Sequence, residues 1–452
     1  MAVGDPSAAC IDFAASFQLE AAPAAAREQG KMLLLDWLGC AIRGAATAQA
    51  DCVKQYTTLM GGHDQARIIG QPQGNSAYHA AMANAYFGHI IEMDDVDKES
   101  ISHPGTVVIP AALAAGEWRG RSGPELLAAI IAGYEVMLRI GAAITPAHYR
   151  IFHTTATTGV FGSAVAAGRM LGLDRDQMTW AFGNAGTLAS GLWQFLPDGA
   201  MSKFLHAGHA SASGVQTACL ARTGFTGASR ILEGPQGFFA GFARQETDPE
   251  LFNDFGARFR TASVSIKPYP CCRHTHSAID CARALRGQLG TGLDGIRDIR
   301  LETYQSAAQV ANNEDPADGR QAQFSLKYVV ARALKTGRIT LSDFADLSDP
   351  EVRSLMARTS VAVDPQLDAL TPKAWPARLT VRMADGRELI EYVANPKGDP
   401  ENPLGWPEVR EKFGLLVEGL LPPAAAREVV AMCQGLEQLK ACGDILKSVN
   451  GA

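Results

Sequence analysis

Four short segments place ionisable side chains beside Gly, Pro and Thr, the composition of loops that bind and react. They are Glu92-Met-Asp-Asp95 with His103-Pro-Gly105, His153-Thr-Thr-Ala-Thr-Thr-Gly159, Lys203-Phe-Leu-His-Ala-Gly-His209, and Lys267-Pro-Tyr-Pro-Cys-Cys-Arg-His-Thr-His276. Together they hold six of the chain's ten histidines. Histidine moves protons near neutral pH, and lysine neutralises anionic oxygen, so this set suits acid-base chemistry on a small, negatively charged substrate. Each segment also has a plain structural reading. The acidic run 92–97 could be a solvated helix end, and a lysine beside Phe204 or Ile266 could lay its stem along the surface with its charge in water. The threonines after His153 could cap a helix or bind an anion at its start. Cys271 and Cys272 read as small apolar packing groups, because no activating motif surrounds them.

The bulk properties exclude several classes of partner. A chain of 452 residues with a formal charge of -6 lacks the basic surface that nucleic acid requires, so any anion site must be local. No glycine-rich phosphate loop appears, so no nucleotide cofactor is expected. His206 with His209, or His274 with His276, could chelate, but no His-Glu-x-x-His or third ligand accompanies them, and no metal is expected. Nine scattered cysteines without Cys-x-x-Cys pairs fit reduced thiols. The longest apolar runs, such as Leu126 to Ala132, stop short of the ~20 residues that span a bilayer, so no membrane partner is expected. The first 14 residues carry no basic-then-apolar leader, and a cytoplasmic location is the expectation.

These segments need elements to position them. Apolar residues recur at helical spacing over 28–42, with Gly44 as the expected stop, and again over 78–91 and 124–142. The stretches 158–173 and 207–222 are dense in Gly, Ala and Ser, which lets helices approach closely. The first 260 residues read as all helical. Strand-like alternation follows over 297–304 and 359–363. Two further runs, 378–383 and 388–393, flank Asp385-Gly386 as a hairpin, and 323–334 reads as a helix stopped by Gly337. After the Pro/Gly-rich stretch 397–403, helices are expected over 408–420 and 424–446. The fold class is therefore mainly α: a large helical domain built from both chain ends (1–266 and 400–452) with a smaller inserted α+β domain (267–399).

The chain resembles the MmgE/PrpD family, which includes 2-methylcitrate dehydratase, cis-aconitate decarboxylase and iminodisuccinate epimerase. The resemblance rests on Asn84-Ala-Tyr-Phe-Gly-His-Ile-Ile-Glu-Met-Asp-Asp95, His103-Pro-Gly, Gly133-Tyr-Glu-Val, Phe152-His-Thr-Thr-Ala-Thr-Thr-Gly159, Gly199-Ala-Met-Ser-Lys203, Lys267-Pro-Tyr-Pro and Phe324-Ser-Leu-Lys-Tyr328, taken in order. It implies a helical domain with an α+β insertion, an active site between them, cofactor-free handling of di- or tricarboxylates, and a homodimer. By position it implies catalytic roles for His103, His153, Lys203, Lys267 and Asp94. It also implies substrate binding by His276, Thr154, Thr157, Arg273 and Tyr328. Dehydratase and decarboxylase members tend to read Asp-x-Asp-Asp-Thr where this chain has Glu92-Met-Asp-Asp-Val96, and the stretch before His103 is one residue longer than in the decarboxylase. The leading expectation is thus a lyase eliminating water from a hydroxylated di- or tricarboxylate. A dicarboxylate epimerase or a cis-aconitate-type decarboxylase is the alternative, and a non-catalytic carboxylate binder comes last.

Overall fold

A computed structural model describes residues 5–289 and 293–451, so the first four residues of the N-terminal stretch read above lie outside the described residues. The chain divides into two compact units. The first comprises Met1–Ile90, Asp94–Ser265 and Gly405–Ala452; the second comprises Ile91–Met93 and Ile266–Leu404.

The first unit is helical. Its principal helices are α1 (Ala24–Ala45), α2 (Ala77–Ile90), α3 (Gly105–Arg119), α4 (Gly123–Ile144), α5 (Thr154–Leu171) and α6 (Ser202–Arg222). A two-residue antiparallel pair, β1 (Ala66–Arg67) with β2 (Gly74–Asn75), interrupts what reads as all-helical sequence. Helix α5 lies at the centre, packed against α3, α4 and α6, with every residue but Arg169 buried. Its small residues explain that position: Gly162 sits so close to α4 that a Cβ there would come within 2.9 Å of the Gly133 carbonyl oxygen. Helix α4 is long and apolar enough to cross a membrane, contrary to the reading of its sequence as too short, yet 94% of its apolar window is buried inside the unit. Its hydrophobicity is accounted for by core burial, and its one buried ion pair, Arg139 to Glu135 at 2.5 Å, is neutralised locally.

Two stops differ from expectation. Helix α1 runs past Gly44 to Ala45, and Gly44 serves a close approach instead: a Cβ there would lie 1.9 Å from the Phe87 carbonyl oxygen of α2. At the C-terminus, helix Trp406–Val417 returns to α1, where buried Lys412 pairs with Asp36 at 2.5 Å and Arg43 donates to the Leu416 carbonyl at 2.6 Å. The expected single helix over 424–446 is broken into Pro423–Gln434 and Asp444–Asn450, because Gly435 and a short 3-10 turn at Leu436–Gln438 intervene.

The second unit is an α+β layer. Strands β3 (Ile296–Thr303), β4 (Thr359–Val363), β5 (Ala377–Met383) and β6 (Glu388–Val393) form one sheet in the order β4-β3-β5-β6. Only β3 and β4 are parallel; β5 and β6 form the expected hairpin, closing on the Arg382–Glu388 pair. Helices α7 (His276–Arg286) and α8 (Leu326–Thr336) bury Ile279, Leu285, Val329 and Val330 in a core shared with Ile299, Leu301, Leu379 and Val381. Ser325 caps α8 through its side chain, and Gly337 ends it in the left-handed conformation expected of a stop glycine.

The contact at Gly44 is testable. Gly44→Ala must push α1 off the α2 backbone and should lower stability by roughly 2–4 kcal/mol in urea unfolding. Gly414→Ala, in a helix with open space beside it, should raise stability by up to ~1 kcal/mol. Equal effects from the two would contradict this packing.

Candidate active site

In the first unit, a loop following α2 gathers the acidic and imidazole groups. The last turn of α2 carries buried His89, whose Nδ1 lies 2.6 Å from Asp94 Oδ2. His103 Nδ1 lies 2.7 Å from the Asp95 carbonyl oxygen and 3.5 Å from the same Asp94 oxygen. A carbonyl oxygen only accepts, so His103 carries a proton on Nδ1, and Nε2 is the nitrogen left to exchange protons. The His103 main-chain N–H donates to Thr155 Oγ1 at 3.0 Å, which fixes this loop against the start of α5.

Asp95 holds the loop from below. Its carboxyl accepts from the Gly105 N–H at 2.9 Å and the Tyr134 hydroxyl at 2.7 Å. Burial pushes that carboxyl up to about 8, against the lowering effect of the Tyr134 bond, so it is protonated at neutral pH. The Tyr134 hydroxyl is pushed upward for the same first reason, burial, with Asp95 next.

His153 stands at the N-cap of α5, with its ring stacked on His89 at 5.7 Å and beside Trp193 at 4.9 Å. Its Nδ1 lies 3.3 Å from His206 Nδ1 on α6. Burial, followed by the positive fields of His89, Lys203, His206 and His103, holds the His153 imidazole well below the usual histidine range. Burial and then His89 and Lys203 bring His206 down to about 4. Both rings are therefore neutral at pH 7. Thr154, next in the chain, has a fully buried hydroxyl with no hydrogen-bond partner, at the N-terminus of an 18-residue helix where N–H groups and the helix dipole favour an anion. Buried Lys203 lies near the N-terminus of α6.

The structure thus brings together Asp94, His103, His153 and Thr154, with Lys203 acting electrostatically on His153. Thr157 is used differently: its hydroxyl meets His148 Nε2 at 2.8 Å, while His148 Nδ1 donates to the Phe242 carbonyl at 2.8 Å. His206 and His209, considered above as a chelating pair, diverge, because His209 Nε2 faces the Leu188 carbonyl at 3.1 Å. His89, Asp94 and His103 bring one potential metal ligand each within 4.8 Å, the one such trio among the described residues. On its Nδ1 side a cation would have to displace the hydrogens given to Asp94 and the Asp95 carbonyl.

The second unit carries the remaining residues singled out in the sequence. Lys267 is buried and donates to the Glu92 carbonyl at 3.0 Å, with the Glu92 carboxylate 3.8 Å away. Glu92 adopts φ 58, an uncommon left-handed conformation for a non-glycine residue. Arg273 forms an ion pair with Asp399 and donates to His276 Nδ1 at 2.7 Å. A guanidinium only donates, so the His276 proton is on Nε2, 3.3 Å from the Cys271 carbonyl. Both His276 nitrogens therefore have partners within the 267–276 segment. Tyr328 likewise lies in the core of the unit and gives its hydroxyl to the Asp343 carbonyl. Burial pushes the Cys271 thiol up to about 12, in keeping with packing.

His89 is the neighbour of this cluster that the sequence does not single out, and His206, weighed there as a chelating partner of His209, meets His153 instead. Both sit inside helical patterns, and only their ring partners distinguish them.

The sequence matches the MmgE/PrpD N-terminal domain over residues 9–250 and the MmgE/PrpD C-terminal domain over residues 269–438. The chain belongs to the MmgE/PrpD family. Among its relatives, the cis-aconitate decarboxylase of Aspergillus terreus is 27% identical, covering 95% of this chain and 92% of its own length. The human cis-aconitate decarboxylase is 26% identical, over 94% and 90%. The 2-methylcitrate dehydratase of Escherichia coli K12 is 21% identical, over 93% and 91%.

A protonated Asp95 has a measurable signature. The folded state keeps its proton to about pH 8, whereas the unfolded carboxyl loses it near pH ~4, so wild-type stability should fall as pH rises through that window. Asp95→Asn, which has no proton to lose, should gain on the wild type from pH ~4 to ~8 and then run parallel. Urea midpoints that keep a constant separation across this range would show that Asp95 is ionised in the fold.

Proposed function

We propose that the chain is a lyase that moves a proton at a carbon beside a carboxylate, acting on a small di- or tricarboxylate. The observation that carries this reading is the pairing of two imidazoles in opposite surroundings next to an unpartnered threonine hydroxyl at a helix start. His153 faces cations and imidazoles and stays neutral, so it serves as the base. His103 faces Asp94 and the Asp95 carbonyl through Nδ1, and those acceptors suit it to carry a second proton on Nε2 and serve as the acid. Titratable pairs pushed apart by their surroundings are the usual division of acid and base roles.

One substrate carboxylate accepts from the Thr154 hydroxyl and the first free N–H groups of α5. Lys203 neutralises the charge that builds as His153 removes the α-proton. His103 then protonates the departing hydroxyl, which leaves as water. The reaction is a dehydration, as in the 2-methylcitrate dehydratase relative. Decarboxylation is the second reading, favoured by the higher identity to the cis-aconitate decarboxylases, 27% against 21%. There the same groups would deliver a proton to carbon as carbon dioxide departs.

Citrate, 2-methylcitrate, cis-aconitate and iminodisuccinate should be supplied to the protein in deuterium oxide and followed by NMR. Loss of water from a hydroxylated tricarboxylate supports the first reading. Carbon dioxide with deuterium in the product supports the second, and exchange with inversion alone would make the chain an epimerase. Replacing His103 with Asn or Lys203 with Met should lower kcat by about 10²–10⁴-fold with the fold intact, the range for a general acid or a transition-state cation. Near-wild-type turnover in either variant would remove that residue from the mechanism.

A further inference from the structure

The mechanism leaves a proton on His153 after each elimination, and His153 is only 1% exposed. It faces His89, His103, His206 and Trp193, with Lys203 contributing positive charge, and none of these contacts supplies a carboxylate to hold that proton on the ring. Something must return the base to its neutral form.

His206 is placed to do so. Its Nδ1 is 3.3 Å from His153 Nδ1, and because a nitrogen-to-nitrogen hydrogen bond needs one proton, only one of the two Nδ1 atoms carries it. With that proton on His153, its lone pair is on Nε2, as a base requires. His206 packs edge-on against Phe195 at 5.4 Å and keeps part of its surface in solvent, unlike His153. Neither ring pairs with a carboxylate in these contacts, so nothing anchors a proton at either one.

Resting on the lyase reading above, we propose that His206 is a positioning residue and the outer member of a two-imidazole proton relay that connects the buried base His153 to solvent. His153 Nε2 takes the substrate proton while its Nδ1 proton crosses to His206 Nδ1. The resulting His206 imidazolium then gives its Nε2 proton to water. One C–H and one C–O bond break; as product leaves, His153 Nε2 gives its proton to water entering the site, the shared proton returns to His153 Nδ1, and His206 Nε2 and His103 each take a proton back from water, so the cycle closes with no other reactant. In a decarboxylation the same path runs inward and supplies the proton that replaces carbon dioxide.

Two arms test this. In histidine labelled with ¹⁵N, the free protein should show a through-hydrogen-bond coupling between the Nδ1 atoms of His153 and His206, and absence of that coupling in well-resolved spectra would overturn the relay. In turnover, His206→Ala should lose about 10–100-fold in kcat with KM within about two-fold, and added imidazole should restore much of the loss. Unchanged kcat, or a loss in a folded variant that imidazole does not rescue, would overturn the relay and leave His206 a packing residue. Should none of the four carboxylates react, the lyase reading fails by itself. The relay is then decided by exchange of the His153 ring proton with solvent: slower exchange in His206→Ala supports it, and unchanged exchange overturns it.

Discussion

The Asp95 carbonyl oxygen fixes the most consequential proton in the first unit. By accepting from His103 Nδ1 it decides which nitrogen of that ring can do chemistry, and the Asp95 side chain in turn is held by Gly105 and Tyr134. A turn that carries so many directional bonds must be rigidly seated. It is: α3 begins at Gly105, Tyr134 projects from the fully buried part of α4, and Thr155 of α5 holds the His103 main chain. Three core helices therefore converge on one loop, and their packing is what sets the tautomer of a single imidazole.

The electrostatics follow from that seating. Asp94 lies within reach of both His89 and His103, while His153, one ring further away, meets only neutral or positive neighbours. Identical side chains thus meet different electrostatic surroundings from position alone. Burial supplies the leading effect for His153, because an imidazolium without a carboxylate partner is poorly solvated inside the bundle. The unpartnered Thr154 hydroxyl is the complementary feature. A buried donor left without an acceptor costs free energy, and an anion at the start of α5 would recover it.

Much of this was legible in the sequence, and the part that was not has physical causes. The loops bearing Asp94, His103, His153, Lys203 and Lys267 stand out because reactive residues sit beside Gly, Pro and Thr, and the β5–β6 hairpin is announced by its Asp-Gly turn. His89 is illegible because a histidine inside a helical pattern looks the same whether it meets solvent, a carbonyl or another imidazole, and for the same reason the spacing of His206 to His209 suggests chelation while the fold turns His206 to His153 and His209 to the Leu188 carbonyl. For His276 the motif is conspicuous, but its contacts with Arg273 and the Cys271 carbonyl emerge only from the fold. Gly44 shows the same limit for the fold. Glycine near a helix end commonly signals a stop, and only the position of Phe87 reveals that a helix crossing is the reason for it.

The central claim is that the start of α5 and the two imidazoles beside it form a carboxylate-processing site. A crystal structure with tricarballylate, a tricarboxylate with no hydroxyl to lose, tests it most directly. The account predicts a carboxylate within hydrogen-bond distance of Thr154 Oγ1, with a methylene facing His153 and His103. Tricarballylate bound elsewhere, with the Thr154 hydroxyl still unpartnered, would contradict it.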